Sequence, residues 1–211
     1  MPKQTFFNLS DEKRGHIMKA AIDAFAQYGY LEASITYIVS QAGIAKGSFY
    51  QYFEDKDDLY LHILQLIAKR KIEVYEREFA GSTHLTLTEF MRKAAHIQLR
   101  EFCEEPQLRK IGLDFARNPH EPVASRFYES MQSVADAMYT NYIEEEKRRG
   151  QLDPEADTEL LNCMLKSIGQ YITSWLETRG DSEIDSAAVD EVIDKLEYIL
   201  TNGIYSGTNQ G

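Results

Sequence analysis

The sequence predicts an all-α protein: a three-helix N-terminal unit of helix-turn-helix type, then a larger helical C-terminal domain, about nine helices in all. Three observations predict it. The 211 residues contain only five prolines, apolar residues recur at a helical 3.6-residue rhythm almost without a break, and no segment alternates as a strand would. Organisation changes near Phe53, where three compact helices give way to long ones, so domains are expected over 1–55 and 56–211.

Taken in order, the first helix is expected over 11–28. Ser10 stands at its cap, acidic residues fill its first turn, and Ile17, Ala21, Ala24, Phe25 and Tyr28 share a face before Gly29 ends it. Ser34 caps a short helix carrying Ile35, Ile38, Val39 and Ala42, which stops at Gly43, and a third short helix follows over 45–52. A long helix starts after Asp55 and runs to about Phe79. Further helices are expected over 86–104, 107–117, 121–149, 156–178 and 186–202, bounded by turn-prone stretches at Pro106, NPHEP, GQLDP and RGDSE.

Composition narrows the function classes. No run approaches the 18 or more apolar residues of a membrane helix, and the start has no apolar stretch of signal-peptide length, so a cytoplasmic protein without a membrane partner is expected. Cys103 and Cys163 are far apart with no CxxC spacing, and are read as buried thiols rather than a disulfide or zinc pair. The five histidines are scattered, and neither a metal nor any other cofactor is expected. The net charge of −11 is uneven: residues 1–53 carry five Lys/Arg against four Asp/Glu, the rest 18 against 30. Charge is felt locally, so a near-neutral N-terminal unit can meet a polyanion while an acidic body does not.

The stretch GIAKGSFYQYFEDKDDLY, residues 43–60, carries the functional signal. Val39, Gly43 and Phe49 have the spacing of a helix-turn-helix: a core residue, a sharp turn and a residue locking the second helix on the first. With Phe49 and Phe53 facing inward, Lys46, Ser48, Tyr50 and Tyr52 are left to point outward, all of them hydrogen-bond donors, and Gly47 allows close backbone approach. Such groups meet phosphate oxygens or base edges.

The run AIDAFAQYGY…ASITYIVSQAGIAKGSFYQYFEDKDDLY resembles the DNA-binding domain of the tetracycline-repressor (TetR) family over about residues 14–61, with the G-x-[ST]-x-Y-x-Y-F-x-x-K core intact. The resemblance implies a homodimer that binds a double-stranded DNA operator and answers to a small-molecule effector. It places Ser34 on a phosphate from the cap of the leading helix, with Thr36 beside it. Lys46, Gly47 and Ser48 fall at the groove-facing start of the recognition helix, Tyr50 and Tyr52 on the flanking backbone, and Lys56 on a phosphate. Ala33, Val39 and Ala45 depart from the family pattern, the first and last removing hydroxyls.

Asp55, Asp57 and Asp58 spell D-x-D-D, a pattern some cyclases use as an acid. A helix cap and an exposed first turn favoured by the helix dipole account for it better. In the acidic body, Phe102, Met131, Met138 and Trp175, with polar Gln98, Asn162 and Gln170 near them, are expected to bound an adaptable effector pocket. The last two helices carry more apolar surface than one packing face needs. The resemblance implies that they form the dimer interface, with Ile193 and Leu196 in it. The reading is a ligand-responsive transcriptional regulator, a repressor released from a palindromic operator by an apolar or amphipathic effector. A helical enzyme and a helical adaptor without DNA binding are its rivals.

Overall fold

The computed structural model describes residues 1–81, 85–179 and 186–203, with all of their side chains except those at 101, 102, 131–138, 177 and 179. Among the described residues every regular element is a helix: α1 Gln4–Phe7, α2 Asp11–Glu32, α3 Ile35–Gln41, α4 Lys46–Tyr52, α5 Lys56–Phe79, α6 Leu87–Glu104, α7 Pro106–Arg117, α8 Val123–Arg148, α9 Thr158–Arg179 and α10 Ser186–Asn202. The expected all-α class is what the chain adopts. The short α1 has no counterpart in the sequence reading, because four residues give no periodicity to detect.

Packing divides the chain into two compact units, one of 1–74 with 105–135, the other of 75–104 with 136–211. The unit that holds the helix-turn-helix is therefore larger than residues 1–55. It takes in α7, which lays the buried Ile111 and Phe115 into the same core as Phe25 and Tyr60.

In this N-terminal unit the caps read from sequence are made. Ser10 Oγ accepts the Lys13 N–H at 3.4 Å and Ser34 Oγ the Tyr37 N–H at 3.2 Å. Gly29 interrupts α2 at φ 70°, a left-handed conformation that favours glycine, and the Asp114 carboxylate lies beside it. That carboxylate accepts the Tyr30 N–H at 3.1 Å, tying the end of α2 to α7. Gly43, at φ 65°, closes α3: the Ile44 N–H reaches Val39 O at 3.0 Å and the Gly43 N–H reaches Ser40 O at 3.3 Å, the paired bonds of a Schellman turn. Phe49 and Phe53 are fully buried beyond it, their centroids 5.4 Å apart.

The D-x-D-D run is structural, as expected, but its last member, Asp58, is buried rather than exposed. Asp55 accepts the Asp58 N–H at 2.8 Å as a helix cap, and Asp57 accepts the Tyr30 hydroxyl. Asp58 is buried against Arg126 at 3.3 Å and the N-terminal ammonium. Burial alone would raise its pKa, but hydrogen bonds from the ammonium, the Glu54 N–H and Arg126 bring it below the ordinary carboxylate value. It is a fixed anion, not a proton donor.

The C-terminal unit packs α6 on α9 and α10 around Met91, Ala95, Ile143, Leu165, Ile172, Leu176, Val189 and Ile193. An aromatic ladder runs along its edge, with Phe79 4.8 Å from Phe90 and Phe90 stacked 4.2 Å from Tyr142. Gln98 is buried within it, its amide 3.3 Å from the Tyr75 hydroxyl and 3.4 Å from Thr173 Oγ1. Arg92 holds α10 to α6 through Asp190 at 2.8 Å and Asp194 at 2.6 Å, with His96 2.9 Å from the same Asp190. Cys103 and Cys163 are free and exposed rather than buried, because both fall on outward sides of their helices.

Two measurements check this account. Gly43→Ala places a side chain in the left-handed region and should cost the N-terminal unit about 1–2 kcal/mol in urea denaturation. Hydrogen bonds from Arg92 and then His96 hold Asp190 below the usual carboxylate pKa. Its contribution is therefore present above about pH 3.9 and lost as pH falls through its lower folded value. Asp190→Asn should be less stable than the parent at pH 7, with the gap closing as pH drops towards 3.

Candidate nucleic-acid interface

The interface is built on α4, seven residues long. At about 100° per residue, burial of Phe49 and Tyr52 places Gly47 and Gln51 on the opposite side, with Tyr50 and Lys46 to one flank and Ser48 to the other. Lys46, Gly47, Tyr50 and Gln51 are exposed and Ser48 half-buried. Ser34 and Thr36 are exposed on the neighbouring α3, and the Ser34 hydroxyl, though it caps that helix, keeps its own proton to donate. The first turn of α4 has no side-chain cap, since Ala45 offers none.

Two residues read from sequence as backbone grips are placed otherwise. Tyr52 is only 6% exposed, against 45% for Tyr50, and its ring lies 6.4 Å from Phe6 in the core. The pattern within α4 alone leaves Tyr52 outward; α1 brings Phe6 against this side of the helix. Lys56 is also turned inward. Its ammonium donates to the carbonyls of Tyr30, Leu31 and Ala33 at 2.7, 3.2 and 3.1 Å and sits 4.4 Å over the Tyr30 ring. All three protons close the end of α2, which leaves none aimed at a phosphate.

The N-terminal arm serves the far end of α4 in the same way. Lys3 Nζ donates to Tyr50 O at 3.0 Å, the Lys3 N–H to Tyr52 O at 2.8 Å, and the Thr5 hydroxyl to Gln51 O. The single basic residue ahead of α2's first turn is spent on the fold, its ammonium also 3.1 Å from Glu54.

Residues 17–63, which span α3, α4 and the turn between them, match the profile of the tetR family of bacterial regulatory proteins. Over 96% of this chain and 98% of the other, the fold superposes with a TM-score of 0.67 and 27% identity on a TetR-family transcriptional regulator from Chloroflexus aurantiacus. The head formed by residues 17–63 is of the TetR-family type. An uncharacterised helix-turn-helix regulator of Bacillus subtilis, YerO, is 24% identical over 90% of this chain, which spans 65% of that relative's length. The fold alone is shared with Bacillus subtilis FadR in complex with stearoyl-CoA, at TM-score 0.70 and 21% identity over 90% of this chain and 99% of that one.

Of the apolar residues read as an effector pocket, Trp175 alone has a described side chain. The side chains of Phe102, Met131 and Met138 lie outside the described residues, and Gln170 faces solvent. Trp175 is half-buried against the core of the C-terminal unit. A small apolar cavity, about 20 Å³, lies among Leu87, Ile143, Leu152, Leu161, Leu165 and Leu200. Ile193 is fully buried within the chain and Leu196 packs on the same core, so neither is the exposed surface expected from the sequence. The α10 face that carries Val189 and Ile193 is the one α6 covers.

Gln51, Lys3 and Thr5 are what the sequence reading missed. Gln51 was findable, four residues from Gly47 and opposite the buried rings; the two arm contacts join residues more than forty positions apart.

Lys56→Met should lower the stability of the N-terminal unit by about 1.5–3 kcal/mol, the range for hydrogen bonds to a charged group. It should leave the slope of DNA affinity against salt unchanged. Urea denaturation and a salt titration check both, and a slope smaller by about 1 per subunit would put Lys56 on a phosphate after all.

Proposed function

We propose that the protein is a cytoplasmic, homodimeric repressor that binds a palindromic operator through α4 and leaves it when a small apolar or amphipathic effector enters the C-terminal unit. The observation that carries this reading is the outward side of α4. Lys46, Tyr50 and Gln51 stand there around Gly47 with no side-chain hydrogen bond or ion pair among the described residues, on a helix tied down at its C-terminal end. Polar groups left unpaired on a braced face suit a partner that supplies acceptors, and Ser34, Thr36 and Ser48 flank it as phosphate contacts. Lys46 remains the cation best placed to donate to guanine or to a phosphate.

An effector is supported by the apolar interior of the C-terminal unit and by the stearoyl-CoA held by Bacillus subtilis FadR. Long-chain acyl thioesters are the first class to test. To weaken operator affinity a hundredfold, such a molecule must prefer the DNA-incompatible state by about 2.7 kcal/mol. A second copy is supported by exposed apolar residues on the last two helices. Leu160, Met164 and Tyr171 form one stripe of α9, and Tyr198 and Ile199 are exposed on α10.

Selection from random duplex DNA with the purified protein should return a palindrome; recovery of unrelated sequences would overturn the reading. Tyr171→Glu with Ile199→Glu should give folded monomers in sedimentation that no longer bind operator. Ile193→Glu, in contrast, should unfold the C-terminal unit, because it puts an unpaired charge into the core.

A further inference from the structure

We propose that Gln51 is a sequence-reading residue, one that pairs with adenine in the major groove. The proposal rests on the DNA-binding reading and adds to it the base recognised. Gln51 lies opposite Phe49 and Tyr52, in the middle of the exposed side of α4, whereas Lys46 sits on its flank. Its side-chain amide has no partner among the described residues. Long side chains on a helix lean towards its N-terminus, over the residue one turn back. For Gln51 that residue is Gly47, where even an added Cβ would meet nothing within 4 Å. The amide is thus carried over an open slot towards the start of the helix, the part that enters the groove in helix-turn-helix proteins.

The backbone beneath it is held. Thr5 binds Gln51's own carbonyl, and Lys3 binds those of Tyr50 and Tyr52 on either side. A side chain projecting from a fixed turn can discriminate, because a mismatch is not relieved by moving the helix. A carboxamide offers one donor and one acceptor in a plane, the complement of adenine N7 and N6–H₂. Lysine has no acceptor with which to make that pair.

The experiment is a base-by-base affinity scan of the selected operator with the parent, Gln51→Ala and Gln51→Glu, each checked for an unchanged thermal melt. The parent should require adenine at one position per half-site. Gln51→Ala should lose roughly 5- to 150-fold of discrimination at that position and none elsewhere. Gln51→Glu, with acceptors only, should move the preference there towards cytosine. Placing 7-deazaadenine at that position should weaken the parent and leave Gln51→Ala unaffected, a readout that does not depend on how a variant folds. If Gln51→Ala keeps every base preference, or loses affinity equally for all sequences, the proposal is overturned and Gln51 is at most a grip. If the parent selects no sequence at all, the DNA-binding reading falls first and this one with it.

Discussion

A helix of seven residues cannot stabilise itself in water, so the N-terminal unit depends on how α4 is held from outside. Before it, the left-handed Gly43 closes α3 and sets the angle at which the chain re-enters a helix. Behind it, Phe49, Tyr52 and Phe53 are buried against Phe6 and the core. Beyond it, Lys3 and Thr5 bind the last carbonyls, which would otherwise face solvent unpaired. Each restraint leaves the opposite side untouched, and that side is where the polar residues without partners stand.

The same economy governs charge. A chain of net charge −11 has few cations to offer a polyanion, and two of those nearest the reading helix, Lys3 and Lys56, are used to close helix ends. Their positive charge opposes the negative end of a helix dipole, a use favoured wherever carbonyls converge. What remains for DNA is mostly neutral: hydroxyls, a phenol and a carboxamide. Neutral donors contribute little to counterion release, so the proposed DNA binding by this head should depend only weakly on salt.

Acidic residues also carry structural work. Asp57 and Asp58 lie in the first turn of α5, where the dipole favours them, and each is drawn on by another segment: Tyr30 from α2 and Arg126 from α8. Asp114 performs the same service from α7, accepting the Tyr30 N–H beside Gly29. These contacts make α7 part of the unit that carries the reading helix. In the C-terminal unit Asp190 and Asp194 fasten α10 to Arg92 of α6.

Nine of the ten helices among the described residues were readable because each is long enough to show a 3.6-residue rhythm or begins at a recognisable cap, as Ser10 and Ser34 show. The helix-turn-helix was readable for a local reason too: its glycine and its buried rings lie within about a dozen positions, and their spacing is dictated by the turn itself. Only tertiary structure decided what faces outward. Tyr52 and Lys56 look like free donors until α1 and the end of α2 are brought beside them. Ile193 looks like surplus apolar surface until α6 covers it. The physical reason is common to all three: periodicity tells which residues share a side of a helix, but which side is buried depends on contacts from residues distant in the chain.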